Sequence, residues 1–238
     1  MPSTSACEIV MDNRMDGDRS AMSRGWPPEV KVCGLMRRED AELAVDAGAA
    51  YLGTILAPGY KRTVTAEAAS AIFGDLPARR VGVFVDAPKE ELLRAAEAAG
   101  LHVLQLHGDE SPRLAAEMRA AGFTVWKAVR PRTGEEFADA VARYASSVDA
   151  LLVDGFNPAA AGGTGTAFPW YEVAARRDGL PEGVALIAAG GLNPGNVAEA
   201  ARVLRPDVVD VSSGVERALG EKDPDAVRGF VAAVRAIS

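Results

Sequence analysis

The feature that most constrains the fold of this chain is a repeat of two kinds of segment. From residue 29 onward, a short apolar run alternates eight times with an alanine-rich amphipathic stretch such as KEELLRAAEAAG. Runs rich in Val and Leu that lack polar alternation are typical of strands buried on both faces of a parallel sheet. The predicted strands are 29–33, 50–56, 80–85, 102–107, 123–129, 149–154, 184–190 and 207–212.

The amphipathic stretches carry helix-boundary signals. Thr65 and Ser111 stand where N-caps belong, and several stretches end in glycine, which suits a helix C-cap. Eight alternating units predict an α/β fold, a closed (β/α)₈ or TIM barrel. An open doubly wound sheet is the alternative, but the turn after the first strand reads CGLMRR and lacks the G-x-G-x-x-G fingerprint of that fold.

Length, charge and cysteine content limit the class of protein. Barrels of about 250 residues fold as one unit, so residues 28–238 are predicted to form a single domain after a flexible extension, 1–27. The net charge of −7 argues against a nucleic-acid partner. No stretch resembles a signal peptide or membrane span, and Cys7 and Cys33 fit neither a disulfide framework nor a metal site. We therefore expect a cytoplasmic protein with no membrane association.

Reactive side chains gather at the carboxyl ends of the predicted strands. Cys33 follows the first strand, Arg62 the second, His107 the fourth and Asp154 the sixth. Active sites of (β/α)₈ barrels are built at this end of the strands. Alone, Cys33 is best interpreted as a buried small residue and Asp154 as a loop acid or helix cap. Together they form a possible base and acid pair, which requires a lowered thiol pKa and a raised carboxyl pKa.

The loops after the seventh and eighth strands predict a phosphate site. The glycines of AAGGLNPGN let the backbone approach an anion closely, and the serines of DVSSGVE add hydroxyl donors. A short helix beginning at Ser213 would point its N–H groups at the phosphate; the alternative is that these residues only form tight turns. The candidate substrate-binding residues here are Gly190, Gly191, Asp210, Ser212, Ser213 and Gly214.

The connection after the sixth strand, which contains NPAAAGGTGTAF, is long for a compact domain. Loops of this length are usually functional, although a plain glycine-rich linker is the alternative. We predict a mobile lid that closes over the substrate and contacts it through Gly163, Thr164 and Gly165.

Taken together, these motifs resemble one enzyme family. VKVCGL, the KR after strand 2, RVGVFV, LQLHGDE, LLVD, GGTG, AAGGLNPGNV and DVSSGVE follow the order and spacing of phosphoribosylanthranilate isomerase across residues 29–237. The resemblance implies a (β/α)₈ barrel and an Amadori rearrangement in tryptophan biosynthesis. The aminoaldose N-(5-phosphoribosyl)anthranilate would become the aminoketose 1-(2-carboxyphenylamino)-1-deoxyribulose 5-phosphate.

The resemblance also implies roles for individual residues. Cys33 would be the general base, Asp154 the general acid, and Arg62 the partner of the anthranilate carboxylate. His107 is expected either to hydrogen-bond the substrate or to satisfy a backbone group. No metal or organic cofactor is expected, because the protonated imine formed from the substrate is itself the electron sink. The expected partner is a phosphorylated small molecule, and the expected assembly is a monomer or weak homodimer.

Other functions remain open at the level of sequence. The related aminoaldose isomerase of histidine biosynthesis, or a dual-substrate version, would carry an acid in place of Cys33 and a second phosphate site. A non-catalytic phosphate-ligand-binding barrel would need neither the thiol nor the carboxyl. An aldol-type lyase would need a Schiff-base lysine, for which Lys127 on the fifth strand is the candidate.

Overall fold

The computed structural model describes residues 26–155 and 170–237, and the chain forms a closed barrel of eight parallel strands in sequential order. The predicted (β/α)₈ barrel is therefore confirmed. Each predicted strand is present, with ends that differ from the predicted ones by one residue at most. The strands are β1 Glu29–Val32, β2 Tyr51–Ile55, β3 Arg79–Phe84, β4 Val103–Leu106, β5 Thr124–Val129, β6 Ala150–Asp154, β7 Ala185–Ala189 and β8 Val208–Val211.

The helices follow the strands around the outside of the barrel. The Thr65 and Ser111 hydroxyls cap their helices as predicted, each accepting a backbone N–H at 3.2 Å. Within the described residues, no helix combines the length and the apolar character that crossing a membrane requires. The helices are α1 Arg38–Ala47, α2 Ala66–Phe73, α3 Lys89–Ala99, α4 Pro112–Ala120, α5 Gly134–Tyr144, α6 Trp170–Ala174, α7 Val197–Leu204 and α8 Pro224–Arg235.

Two apolar layers hold the barrel together. The inner layer fills the barrel with alternate strand residues, and Tyr51 packs edge-on against Trp126 with ring centroids 5.0 Å apart. Trp126 is fully buried there. The outer layer joins the strands to the helices through residues such as Leu52 and Phe230. Because strand side chains alternate between faces, two residues that lie two positions apart point into the same layer.

A short hairpin between β8 and α8 was not apparent from the sequence. Its antiparallel strands are β9, Glu216–Ala218, and β10, Glu221–Lys222. Strands of two or three residues are too short to show a period, so sequence patterning gives no signal for them. The hairpin brings two charged side chains, Glu216 and Lys222, to the carboxyl end of the barrel.

Candidate active site

Cys33 directly follows β1 and lies at the carboxyl end of the barrel, with only 6% of its surface exposed. Its backbone N–H donates to the Val211 carbonyl at 2.8 Å, which fixes the end of β1 against β8. The neighbouring strand contributes Gly53, and a Cβ there would lie 2.9 Å from the Cys33 sulfur and 3.1 Å from Lys31 Nζ. Glycine at this position therefore leaves the space that the thiol and the ammonium group share.

The charges around Cys33 act on its thiol in opposite directions. Burial raises the pKa of Cys33, the cations Lys31 and Lys222 lower it, and the Asp210 carboxylate raises it again. Burial prevails, so the pKa lies above its ordinary value, contrary to the lowered pKa expected for a thiol base. The reason is that Cys33 is buried, and desolvation disfavours the thiolate more than the two ammonium groups favour it.

Beneath the thiol, Lys31 and Asp210 form an ion pair inside the barrel. Lys31 Nζ lies 3.0 Å from both Asp210 carboxylate oxygens. Burial alone would lower the pKa of Lys31, but the charge of Asp210 raises it. The structure pairs Asp210 with Lys31 one layer below Ser212, and the contact of Asp210 with substrate remains a prediction. The physical reason for this depth is strand alternation, since both side chains point inward but Asp210 lies deeper.

Arg62 lies at the barrel mouth beside Gly34, the residue that follows Cys33. Gly34 has a φ of +69°, and a Cβ there would lie 2.7 Å from both Arg62 Cδ and Ser212 Oγ. Arg62 makes a two-pronged ion pair with Glu216, from Nε at 2.7 Å and from Nη2 at 2.6 Å. Burial alone would raise the pKa of Glu216, but hydrogen bonds from Arg62 and Lys222 hold it below its ordinary value. A carboxylate ligand would therefore meet the opposite, Nη1–Nη2 edge of the guanidinium.

The two loops of the predicted phosphate site lie against each other. Gly190 and Gly191 adopt left-handed φ values of +87° and +67°, which glycine takes at little cost. The Asn196 side chain donates to the Gly191 carbonyl at 3.0 Å and so holds the first loop in place. A Cβ at Gly214 would overlap the Leu192 carbonyl oxygen, so only glycine permits this contact between the loops.

The expected short helix after β8 is a single 3-10 turn, Ser213–Val215. Three residues align too few peptide dipoles to create an appreciable helix field. An anion at this site would therefore be held by individual backbone N–H groups and by the hydroxyls of Ser212 and Ser213.

Asp154 ends β6 on the inward face and is joined to His107 from the end of β4. His107 Nε2 lies 3.3 Å from Asp154 Oδ2, and Gln105 Nε2 lies 2.9 Å from His107 Nδ1. Arg130 Nε is 3.4 Å from the same Asp154 oxygen. His107 was expected to contact substrate or a backbone group, whereas here its ring bridges two side chains. Its contact with substrate remains a prediction.

The mouth of the barrel thus combines a thiol on β1, a carboxylate on β6 and glycine-serine loops after β7 and β8. Residues 30–233 match the model of one protein family, described as N-(5'phosphoribosyl)anthranilate (PRA) isomerase. The chain belongs to this family.

Individual relatives support the assignment to the PRA isomerase family. The N-(5'-phosphoribosyl)anthranilate isomerase of Citrifermentans bemidjiense is 42% identical over 213 residues, which cover 88% of this chain and 98% of that protein. The crystal structure of the isomerase from Thermotoga maritima has a TM-score of 0.77 at 36% identity, covering 87% of this chain and 98% of that one. An isomerase solved with reduced 1-(o-carboxyphenylamino)-1-deoxyribulose 5-phosphate has a TM-score of 0.75 at 34% identity, with coverage of 87% and 98%.

Lys127, the candidate for an aldol-type lyase, does not face the mouth that carries the PRA isomerase motifs. It points into the outer layer, where Nζ donates to the Gly108 carbonyl at 2.6 Å and to Glu110 at 3.1 Å. Burial lowers the pKa of Lys127. Because its amine lies between the barrel and the helices, the structure contradicts the lyase hypothesis.

Four polar residues of the mouth were not singled out from the sequence. Lys31 stands two positions before Cys33 and Gln105 two positions before His107, so strand alternation could have placed both on the inner face. Glu216 and Lys222 had no comparable signal, since they lie on the short hairpin.

Gly163, Thr164 and Gly165, predicted to form the lid of a PRA isomerase, lie outside the described residues.

Proposed function

We propose that this chain catalyses the Amadori rearrangement of N-(5'-phosphoribosyl)anthranilate to 1-(2-carboxyphenylamino)-1-deoxyribulose 5-phosphate, a step of tryptophan biosynthesis. One observation carries the proposal beyond family membership. Cys33 and Asp154 stand at inward-facing ends of two strands of one barrel mouth, and they supply the two proton-transferring groups that the reaction needs.

Two proton transfers carry the substrate to an enolamine, and two more, a gain at C1 and a loss from the C2 hydroxyl, complete its change into the ketone. Asp154 gives a proton to the furanose ring oxygen, and the C1–O bond breaks to leave an open-chain protonated imine. Cys33 then removes the proton from C2, and the electron pair of that C–H bond forms an enolamine with the imine. Tautomerisation of the enolamine gives the ketone at C2, so no atom is gained or lost overall.

The substrate carboxylate pairs with Arg62. A planar guanidinium fits a planar carboxylate through two parallel hydrogen bonds, which a lysine cannot offer. Glu216 occupies the Nε–Nη2 edge of Arg62, so the Nη1–Nη2 edge receives the anthranilate carboxylate. This orientation places the aryl end of the substrate on the Arg62 side of the mouth.

The substrate phosphate binds the loops after β7 and β8. Gly190 and Gly191 bring backbone N–H groups close to the anion, and Ser212 and Ser213 add hydroxyl donors. The contact of Gly214 with the Leu192 carbonyl keeps the two loops in register as one binding surface. Phosphate sites between these two loops are a general feature of (β/α)₈ barrels.

The base is the thiolate of Cys33, which forms when the thiol loses its own proton to water before the C2 proton is removed. Burial raises the pKa of the thiol in the resting protein, so the thiolate is the minor form. Lys31 and Lys222 provide the positive charge that stabilises it once the proton has left. A thiol that is mostly protonated also resists the alkylation and oxidation that a permanent thiolate would undergo.

The proposal is tested with enzymatically generated phosphoribosylanthranilate and an anthranilate-fluorescence assay. We expect wild-type protein to consume the substrate and Asp154→Ala to be nearly inactive while retaining phosphate binding. Absence of turnover by folded wild-type protein would leave a non-catalytic binding barrel as the better account. Turnover of the corresponding histidine precursor would instead reveal the dual-substrate enzyme.

The arrangement of the whole chain is part of the same proposal. Residues 28–238 form one catalytic domain, and the protein is a monomer or a weak homodimer in the cytoplasm; of the predicted extension, 1–27, residues 1–25 lie outside the described residues. The free thiol of Cys33 suits a reducing compartment. Sedimentation velocity across a range of concentrations, with and without residues 1–27, tests the assembly, and a tight oligomer would contradict it.

A further inference from the structure

The inward face of β4 carries a buried amide that the reaction itself does not use. Gln105 is 1% exposed, and its side-chain nitrogen lies 2.9 Å from His107 Nδ1. Its side-chain oxygen has no hydrogen-bond partner within the described residues. A buried polar atom without a partner costs free energy. A glutamine is therefore an unfavourable residue at this position unless the contact of its nitrogen with His107 has a role.

The chain of contacts from Gln105 to Asp154 has one consistent assignment of hydrogens. The Gln105 amide nitrogen can only donate, so His107 Nδ1 accepts from it and Nε2 donates to Asp154 Oδ2, 3.3 Å away. A neutral imidazole carries one N–H, which leaves Nδ1 without hydrogen and able to accept. The Gln105 amide N–H is then the donor to Nδ1, and it holds the ring in the Nε2–H tautomer.

In this tautomer, His107 supplies a hydrogen-bond donor to the carboxyl group of Asp154. Oδ2 receives the His107 N–H, and Arg130 Nε lies 3.4 Å from the same atom. Both groups stabilise negative charge on Oδ2. The carboxylate that remains after proton transfer would keep its stabilising donors.

We propose that Gln105 is a positioning residue that fixes the His107 tautomer, so that His107 donates to Asp154 Oδ2 and stabilises the carboxylate that proton transfer leaves. This inference rests on the proposed role of Asp154 as the general acid. Gln105 acts through His107 and does not touch the substrate.

The tautomer is directly measurable, because the chain has only two histidines. A two-bond ¹H–¹⁵N correlation spectrum of ¹⁵N-labelled protein, recorded where both rings are neutral, identifies the protonated nitrogen of each. We expect His107 to carry hydrogen on Nε2 in the wild type. His102 is an internal reference, since its Nδ1 accepts the Arg80 backbone N–H at 3.0 Å and its tautomer is independent of Gln105. Hydrogen on Nδ1 of His107 in the wild type would overturn the inference.

Two variants separate this role from simple packing. Gln105→Glu presents only acceptors, so we expect Nδ1 of His107 to gain a hydrogen while His102 is unchanged. Gln105→Met keeps the size but removes the donor, and we expect kcat to fall at least about tenfold with little change in KM, less than the ~10⁴-fold loss that follows a wrong tautomer in a catalytic triad. Thr54→Val, which removes another buried oxygen without a partner in the described structure, should leave kcat unchanged.

A bare Nδ1 in Gln105→Glu, or wild-type kcat in Gln105→Met, would contradict the role of Gln105. If Gln105→Met fails to fold, the His107 tautomer measured in the wild type still tests the role of Gln105. The inference and the proposed function fail in different ways. Full turnover by Asp154→Ala would refute the general acid whatever the tautomer, whereas an Nδ1–H tautomer would refute only the role of Gln105.

Discussion

The thiol of Cys33 depends on a balance between burial and two neighbouring cations. Lys31 acts on it both by charge and by a side-chain hydrogen bond, and both effects lower the thiol pKa. Asp210 acts in the opposite direction and with a smaller charge effect than Lys31. Substitution of Lys31 or Asp210 should therefore change the reactivity of the thiol in a predictable direction.

Lys31→Met should move the pKa of Cys33 further upward. The pH midpoint of Cys33 alkylation by iodoacetamide, measured in a Cys7→Ser background, should shift to higher pH than in the parent protein. Loss of one partner of a buried ion pair typically costs about 3–5 kcal/mol of stability. The double variant Lys31→Met/Asp210→Asn avoids the unpaired carboxylate and should shift the midpoint in the same direction. A midpoint that is unchanged or lower in the folded double variant would contradict the role of Lys31.

Arg62→Ala should weaken binding of a carboxylate ligand by about 1.5–3 kcal/mol, the value of a hydrogen bond to a charged group. A matched pair of product analogues, with and without the aryl carboxylate, measures this by calorimetry. The analogue without the carboxylate should lose little further affinity in the variant. If both analogues lose equal affinity, Arg62 does not meet that group.

Glu216→Gln tests the orientation of Arg62 separately. The amide keeps the shape of Glu216 but removes the negative charge that holds the Nε–Nη2 edge. KM should rise by less than in Arg62→Ala, and kcat should stay close to wild type. A larger rise in KM than in Arg62→Ala would show that Glu216 itself contacts the substrate.

Among the secondary-structure elements, the loops after β7 and β8 depend on one close contact. In Gly214→Ala the added methyl group would overlap the Leu192 carbonyl oxygen, so the loops must separate. A displacement of about 1 Å in a binding site can cost on the order of 100-fold in rate, and kcat/KM should fall between about tenfold and that limit. Gly179→Ala is the matched control, since no atom lies within 4 Å of its new Cβ. Equal kcat/KM values for the two variants would contradict the role of this contact.

The link between β3 and β4 predicts a pH dependence of stability. Burial, together with the charges of Arg80 and Arg79, lowers the pKa of His102 below its ordinary 6.5. The unfolded chain therefore binds a proton at a higher pH than the folded chain does, and stability falls as the pH drops through 6.5. The free energy of unfolding in urea should show this loss in the wild type and less of it in His102→Gln. An identical pH dependence in both proteins would rule out His102 as its source.

At the scale of the whole molecule, the barrel and most of the site could be predicted because they follow from local patterns. Strand period and strand ends placed Cys33 and Asp154 at one mouth, and glycines marked the phosphate loops. The fully buried Lys31 and the depth of Asp210 could not be predicted as readily. Lys31 and Asp210 pair with each other but lie 179 residues apart in the chain, and only closure of the barrel brings them together. The hairpin that carries Glu216 is too short to leave a periodic signal.

The central claim is that the thiol of Cys33 removes the C2 proton of the substrate. Cys33→Ser keeps the shape of the side chain but replaces the thiol with a far weaker acid, whose conjugate base is scarcely available. The decisive measurement is kcat of Cys33→Ser, together with exchange of the substrate C2 proton with solvent. We predict a loss of about 10²–10⁴-fold in turnover and a comparable loss of exchange. Turnover and exchange within a few-fold of wild type would show that the thiol only packs against its neighbours and that another group is the base.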